Sequence, residues 1–234
     1  MAARFFPPLK EAFESGVIPV IPDIKCISPK LGDLTRGRDP VGVAKELSGA
    51  GAPVFSVVTE REQFGGSLGL LEKIVLATGK PVLRKDFIRT KEELERSKQY
   101  GASAVLLICS ILEEEELFSL YAKAVSLGLE PLVEVHTERE LQMASGLPLR
   151  MVGVNNRDIT VLEKDGGSVG SMGNLMRKAS KEAFLISESA ISCREDISLA
   201  AECGAGAALV GTAIWQADDP AGFYRSLRIN RRII

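Results

Sequence analysis

The stretch PVLRKDFIRTKEELERSKQYGASAVLLIC, residues 81–109, holds the pattern that decides the fold. A short apolar run, Pro81 to Lys85, precedes a polar stretch of helical character, and a second apolar run follows from Ala104 to Cys109. The helical stretch begins at Thr90-Lys-Glu-Glu, which is typical of a capping box, where a hydroxyl and a glutamate bind the first N–H groups of a helix. The segment therefore predicts a strand, a helix and a second strand, the unit of a parallel sheet.

Outside this segment the same alternation recurs along the chain. The runs that predict strands are short and apolar, and there are eight of them: Val17 to Lys25, Pro53 to Val58, Pro81 to Lys85, Ala104 to Cys109, Pro131 to Glu134, Met151 to Asn155, Ala183 to Glu188 and Ala207 to Val210. The stretches that predict helices begin near Pro40, Ser67, Thr90, Glu113, Thr137, Gly170, Ser192 and Asp218. From the second strand to the eighth the spacing is roughly 26 residues, which fits a closed (β/α)8 barrel.

This alternation predicts an α/β protein that consists of a single (β/α)8 TIM barrel. We expect one domain over residues 1–234, in which residues 1–17 form an N-terminal segment before the first strand. The alternative is an open doubly wound sheet, which commonly carries a GxGxxG motif after its first strand. The sequence contains neither that motif nor a linker rich in Gly, Ser and Pro, so the closed barrel is favoured.

Composition excludes several classes of protein. The 234-residue chain is 45% hydrophobic with a mean hydropathy of +0.10, which is enough to bury a core and too much for a disordered chain. Its 29 Lys and Arg residues nearly balance 31 Asp and Glu residues, and the signs are interspersed. Neither nucleic acid nor an acidic membrane surface is therefore an expected partner.

The cysteine and histidine residues indicate whether a metal is expected, and the N-terminal stretch indicates the cellular compartment. The four cysteines form no CxxC pair and His136 is the single histidine, so we expect neither a metal nor a cofactor. The stretch MAARFFPPLKEAFESG lacks the apolar region of a signal peptide, and no window approaches the ~20 apolar residues of a membrane span. A cytoplasmic protein is the expectation. His136 is interpreted as a solvated or hydrogen-bonding side chain rather than a catalytic one.

Polar residues end several of the predicted strands. In a (β/α)8 barrel the chemistry lies at the carboxyl ends of the strands, so these residues are candidates for a site. Each alone is also explained as the first solvated residue after a buried strand. As a set that faces one axis they favour function, because inward charges cost desolvation energy unless they are paired or used. The candidates are Asp23, Lys25, Lys85, Glu134, Asn155 and Glu188.

Small and hydroxyl residues follow the last two strands. Ser189 and Ala190 come after strand seven, and Gly211 and Thr212 come after strand eight. Backbone N–H groups in these loops form the phosphate site of many phosphosugar barrels. The plainer interpretation is a tight turn, but the position after strand eight favours an anion site.

Six segments closely resemble the indole-3-glycerol phosphate synthase family of tryptophan biosynthesis. The resemblance covers about residues 18–229, and VLRKDFI and GVNNRD are its most specific strings. The segments are Asp23-Ile-Lys-Cys-Ile-Ser-Pro29, Pro81-Val-Leu-Arg-Lys-Asp-Phe-Ile88, Leu132-Val-Glu-Val-His136, Gly153-Val-Asn-Asn-Arg-Asp158, Ser187-Glu-Ser-Ala-Ile191 and Leu209-Val-Gly-Thr-Ala213.

The resemblance implies a metal-free barrel that closes the indole ring of 1-(o-carboxyphenylamino)-1-deoxyribulose 5-phosphate with loss of carbon dioxide and water. It implies that Lys85 is the general acid for ring closure and that Lys25 binds the carboxylate, with a further role as acid in dehydration left open. Glu134 is implied as the base in dehydration. Asn155 and Glu188 are implied to position the substrate hydroxyl and the lysines.

The resemblance also implies the residues that hold the substrate. Phosphate contacts or their neighbours are implied at Ser28, Ser189, Gly211 and Thr212, and a further substrate contact at Arg157. Phe64 and Phe87 are implied as the walls for the anthranilate ring, with ordinary hydrophobic packing as the alternative.

The chain departs from the family pattern at four places. Asp23 stands where the family has glutamate, Ala190 where it has glycine, and Cys26 where it has a basic residue. Only about 17 residues precede the first strand, so much of the family's N-terminal helical cover is expected to be missing. Besides an active synthase, two alternatives stay open: a diverged enzyme for a related phosphorylated substrate, and a weakly active or non-catalytic barrel that binds a phosphometabolite. The sequence does not identify any partner enzyme.

Overall fold

Eight parallel strands close into a barrel in the computed structural model, which describes residues 4–156 and 169–230. Their order around the barrel is their order in the chain, and the eighth strand pairs with the first at Leu209 and Ile21. The predicted (β/α)8 barrel is therefore confirmed. We number the barrel strands β1 Val20–Ile24, β2 Phe55–Val58, β3 Val82–Lys85, β4 Ala104–Ile108, β5 Glu130–Val135, β6 Met151–Asn155, β7 Phe184–Glu188 and β8 Ala207–Val210.

Helices lie between consecutive strands, and most begin within a few residues of the predicted starts. The capping box at Thr90 is present: the Thr90 hydroxyl accepts from the N–H of Glu93, and the Glu93 carboxylate accepts from the N–H of Thr90. The helices are α1 Phe6–Glu14, α2 Pro40–Gly49, α3 Leu68–Thr78, α4 Lys91–Gln99, α5 Glu114–Ser126, α6 Glu138–Ala144, α7 Gly173–Glu182, α8 Arg194–Glu202, α9 Thr212–Gln216 and α10 Pro220–Ser226. No helix in the described residues is long and apolar enough to cross a membrane.

The first predicted strand is divided in the structure. Val17–Ile18 pairs in antiparallel fashion with Ile229–Asn230, outside the barrel, and strand β1 begins only after Pro19. Because proline has no N–H to donate to a sheet, Pro19 separates the antiparallel pairing of Val17–Ile18 from the parallel pairing of β1. A second pair of two-residue strands, Ile27–Ser28 with Gly32–Asp33, forms a hairpin in the segment after β1.

Side chains alternate between the two faces of each strand, and the apolar side chains of the two faces belong to two separate clusters. In β3, for example, Val82 packs in the larger cluster between strands and helices, whereas Leu83 packs inside the barrel. Because side chains alternate between the two faces of a strand, Lys85 shares the inward face with Leu83. The barrel interior is filled by an inner cluster of Ile21, Val54, Leu83, Ala104, Leu106, Ile108, Leu132, Met151, Ile186, Ala207 and Leu209.

Helix α1 covers the amino-terminal end of the barrel. Phe5 and Leu9 are wholly buried and belong to the inner cluster. The Glu130 carboxylate, at the start of β5, accepts from the N–H of Phe5 at 2.5 Å and of Phe6 at 3.1 Å. The sequence analysis placed no helix here, although Phe5, Leu9 and Phe13 recur at a spacing of four residues, which is typical of one helix face.

We expect Leu9→Ala to destabilise the fold by about 2 to 5 kcal/mol, because it leaves a cavity under α1 that the rigid barrel cannot fill. Urea unfolding measures the change. The matched control is Lys10→Ala on the exposed side of the same helix, which should stay within about 0.5 kcal/mol of the wild type. Equal effects of the two substitutions would show that α1 does not close the barrel.

Candidate active site

A cavity of about 400 Å³ lies at the carboxyl ends of the strands. The strand ends and the loops that follow them supply its walls. Among the residues that line it are twelve of the fourteen predicted site residues: Asp23, Lys25, Ser28, Phe64, Lys85, Phe87, Glu134, Asn155, Ser189, Ala190, Gly211 and Thr212. Of the other two, Glu188 contacts Lys85 from a wholly buried position, and Arg157 lies outside the described residues.

Lys85 stands between two buried carboxylates. Its Nζ lies 3.2 Å from Oε2 of Glu188 and 3.6 Å from Oε2 of Glu134, and both glutamates are wholly buried. Burial lowers the pKa of Lys85, but the two carboxylates, with Asp23 farther off, outweigh it and raise the pKa above its ordinary value. Lys85 is therefore a cation at neutral pH. Two buried anions would each cost several kcal/mol without such a partner.

Glu188 is a wholly buried carboxyl. Burial raises its pKa to about 7, since the opposing effect of Lys85 is partly cancelled by Glu134. Its Oε1 has no hydrogen-bond partner among the described residues. Gly153, on the neighbouring strand β6, makes room for the carboxyl, because a Cβ at that position would lie 2.1 Å from Oε1. A side chain at position 153 would therefore displace the Glu188 carboxyl.

Glu134 has a richer set of contacts than Glu188. The amide of Asn155 donates from Nδ2 to Oε1 of Glu134 at 3.2 Å. His136 Nε2 lies 3.3 Å from the same oxygen, and the His136 side chain is only 12% exposed. His136 was expected to be either solvated or hydrogen-bonded. It is hydrogen-bonded, because Nδ1 lies 3.3 Å from Oε2 of Glu140.

The third carboxylate, Asp23, contacts a residue that the sequence analysis missed. Ser56, on β2, donates from Oγ to Oδ1 of Asp23 at 2.6 Å, and Trp215 donates from Nε1 to the Asp23 carbonyl at 3.0 Å. A polar Ser56 in the apolar strand Phe-Ser-Val-Val was the available signal. Lys25, the next inward residue of this segment, lies with Nζ 5.8 Å from the centre of the Phe64 ring, within reach of a cation–π contact.

Arg84 holds the segment after β3 from the opposite face of the strand. It is buried and donates to Thr59 Oγ1 at 3.0 Å, to the Glu93 carbonyl at 2.8 Å and to Asp86 Oδ2 at 2.8 Å. These bonds tie strand β3 to helix α4 and to the residue that follows Lys85. Sequence reasoning placed Arg84 at a strand end but did not assign it this role.

The loop after β7 has an unusual backbone. Ser189 and Ala190 have φ angles of 64° and 52°, in the left-handed region that glycine adopts without strain. Asn156 secures the loop, since its Nδ2 donates to the Ser189 carbonyl at 2.9 Å and its N–H donates to the Glu188 carbonyl at 2.8 Å. The positive φ at Ala190 gives a physical reason why a glycine suits this place.

The structure thus defines a class of protein: a (β/α)8 barrel enzyme with lysines and carboxylates for acid–base chemistry at the carboxyl ends of its strands. In the described parts of the chain, no group of three or more His, Cys, Asp and Glu side chains is arranged to hold a metal ion.

Comparison with known proteins identifies the family. Residues 2–227 match the family model described as indole-3-glycerol phosphate synthase. The indole-3-glycerol phosphate synthase of Pyrococcus furiosus is 46% identical over 204 residues, which cover 87% of this chain and 88% of that protein. The enzyme of the same name from Thermococcus kodakarensis is 44% identical over 208 residues, 89% of this chain and 91% of that protein.

A bacterial relative shows the same similarity at a greater distance. The indole-3-glycerol phosphate synthase of Kineococcus radiotolerans is 39% identical over 211 residues, 90% of this chain and 76% of that protein. The chain belongs to the indole-3-glycerol phosphate synthase family, whose members are carboxy-lyases that catalyse a decarboxylative ring closure.

We expect Glu188→Gln to change how stability depends on pH. A carboxyl whose pKa is raised in the folded state stabilises the fold most when protonated, so the wild type loses stability as pH rises from 4.5 to about 7. The variant does not titrate there, and its stability relative to the wild type should rise by up to about 3 kcal/mol over this interval.

Urea unfolding at pH 4.5 and pH 7.5 measures this difference. Glu182→Gln, an exposed glutamate at the end of α7, is the control and should differ from the wild type by the same amount at both pH values. A pH-independent difference for Glu188→Gln would contradict the raised pKa of Glu188.

Proposed function

We propose that this chain is an active indole-3-glycerol phosphate synthase, which closes the indole ring of 1-(o-carboxyphenylamino)-1-deoxyribulose 5-phosphate with loss of carbon dioxide and water. The observation that carries the proposal is the position of Lys85, a cation on the cavity wall between two buried carboxylates. Lys25 supplies a second cation to the same cavity. Family membership supports this reaction and a phosphorylated small molecule as substrate.

Ring closure needs a proton donor at the substrate ketone. The ring carbon that carries the carboxylate forms a bond to the ketone carbon, and the ketone oxygen takes a proton to become a hydroxyl. Lys85 supplies that proton, because the carboxylates around it keep it charged. The carboxylate then leaves as carbon dioxide, and the electrons of the broken bond return to the ring. Lys25 binds the carboxylate before it leaves.

Dehydration needs an acid and a base on the same intermediate. The hydroxyl formed at ring closure leaves as water once it is protonated, a role we give to Lys25. Glu134 takes the proton whose loss completes the new double bond of the indole ring. Asn155 and Glu188 hold Glu134 and Lys85 in place through bonds of 3.2 Å each.

The remaining residues of the cavity hold the two ends of the substrate. We assign the phosphate to Ser28, Ser189, Gly211 and Thr212, all of which line the cavity, with Ala190 beside them. The apolar walls Phe64 and Phe87 receive the aromatic ring, and Arg157 is assigned a substrate contact from its place in the sequence motif.

The test is a fluorescence assay for indoleglycerol phosphate with purified protein. Lys85→Met should lower kcat by a factor of about 10² to 10⁴, because it removes the proton donor for ring closure. Lys73→Met, the same substitution on the exposed side of α3, is the control and should leave turnover unchanged. Circular dichroism of both variants shows whether loss of activity reflects loss of fold.

Other outcomes separate the alternatives. Undiminished turnover in Lys85→Met would overturn the assignment of Lys85. Folded wild-type protein without turnover would instead favour a related phosphorylated substrate or a binding role. Turnover gained in Asp23→Glu would then identify a weakly active synthase, because the longer carboxylate restores the residue of the family pattern.

We also place the protein in the cytoplasm. All four cysteine thiols, Cys26, Cys109, Cys193 and Cys203, lie in the described ranges and are free, which suits a reducing compartment. The nearly balanced charge of the sequence supports neither nucleic acid nor a membrane surface as a partner.

A further inference from the structure

Two wholly buried glutamates, Glu134 and Glu188, compete for one lysine. Both approach Nζ of Lys85 through Oε2, at 3.6 Å and 3.2 Å, so Lys85 balances at most one of the two negative charges. Desolvation disfavours a second uncompensated carboxylate, and one of the pair tends to take up a proton. The contacts on the other carboxylate oxygens decide which of the two stays ionised.

Oε1 of Glu188 has no hydrogen-bond partner among the described residues, and the same holds for Oε2 of Glu134, which lies 3.6 Å from Nζ of Lys85. The two glutamates differ at the carboxylate oxygen that does accept a hydrogen bond. Oε1 of Glu134 accepts from Asn155 and also lies 3.3 Å from Nε2 of His136. A second potential cation therefore stands beside Glu134 and not beside Glu188.

The ring of His136 is held by a second carboxylate. Nδ1 lies 3.3 Å from Oε2 of Glu140, and the same oxygen accepts from the His136 N–H at 2.8 Å. The other carboxylate oxygen of Glu140 accepts from Thr137 Oγ1 at 3.1 Å, which fixes the carboxylate at the start of helix α6. Each ring nitrogen thus faces a carboxylate.

This arrangement favours the doubly protonated imidazolium. A neutral imidazole has one N–H and one acceptor nitrogen, and the acceptor would then face a carboxylate that can only accept. Burial lowers the pKa of His136, but the hydrogen bond to Glu140 and the charges of Glu134, Glu140 and Glu188 outweigh it and raise the pKa. The Cys109 thiol is the further titratable group in this region, and burial raises its pKa to about 12, so it carries no charge at neutral pH.

We infer that His136 is a positioning residue that orients the Glu134 carboxylate through its Nε2, and that Glu140 in turn holds His136. The inference rests on the proposed function, because it explains how Glu134 rather than Glu188 serves as the base. With Nζ of Lys85 3.6 Å from Oε2 and Nε2 of His136 3.3 Å from Oε1, the Glu134 carboxylate lies between an ammonium and an imidazole. Among the described residues, Lys85 is the cation that contacts the Glu188 carboxyl, and burial raises the pKa of Glu188 to about 7.

The kinetic test uses the pH profile of His136→Asn. We expect kcat to fall by a factor of about 10 to 100 at neutral pH with KM changed less than threefold, because the substrate contacts remain. The acid limb of the kcat profile should move up, because the substitution removes the charge of the His136 imidazole from beside the proposed base. Glu140→Gln should move the limb in the same direction, and Glu138→Gln, an exposed neighbour on α6, should not move it.

A spectroscopic test needs no turnover. His136 is the only histidine of the chain, so one imidazole NMR signal of the untagged protein reports its titration. Its pKa should lie above 6.5 in the wild type and fall in both Glu140→Gln and Glu134→Gln. These results can hold even if the Lys85 assay fails, so failure of the proposed function is distinguishable from failure of this inference.

Two results would overturn the inference. One is an acid limb that stays in place in His136→Asn and in Glu140→Gln, whether or not kcat falls, because a purely structural role would produce that result. The other is a His136 signal that titrates at or below 6.5 and does not respond to Glu134→Gln.

Discussion

The chemistry of this barrel depends on one ion-pair cluster, in which the ammonium of Lys85 meets carboxylates from two other strands. Glu134 and Glu188 are wholly buried, and the nearest of the two lies 3.2 Å from Nζ. Removing that cation would take the positive charge away from two buried carboxyl groups, which is a strongly destabilising change. The same contacts that make the buried carboxylates tolerable also keep Lys85 protonated.

Two glycines inside the barrel leave space for the carboxyl groups of the site. Gly153 leaves the volume that the Glu188 carboxyl occupies, and Gly211 leaves room beside Asp23, where a Cβ would lie 3.2 Å from the Asp23 side chain. Around the outside, Arg84 ties β3 to α4 by hydrogen bonds, so the residue after Lys85 is held from the opposite face of the strand. The strand ends that carry the site are therefore held both by close packing inside the barrel and by hydrogen bonds outside it.

The amino-terminal end of the barrel contributes to stability, and the carboxyl end holds the site. At the amino-terminal end, helix α1 inserts Phe5 and Leu9 into the inner cluster, and Glu130 binds the first N–H groups of the helix. At the carboxyl end, polar side chains replace the apolar layer and leave a cavity of about 400 Å³. Much of the family's N-terminal helical cover was expected to be missing; the segment before the first strand nevertheless holds helix α1, Phe6–Glu14, which closes the amino-terminal end of the barrel.

Sequence alone determined the barrel and most of the inward charges, because strand alternation has a period of two and inward residues at strand ends are few. Lys85, Glu134 and Glu188 follow directly from that rule. Other features required tertiary structure: the Ser56 bond to Asp23, the split of the first strand at Pro19, and above all the contact of His136 with Glu134. The sequence places His136 two residues after a candidate base, and the start of helix α6 at Thr137 brings Glu140, four residues on, to its ring. Period and composition are local properties, whereas the protonation of a buried group depends on every charge that the fold brings within a few ångströms.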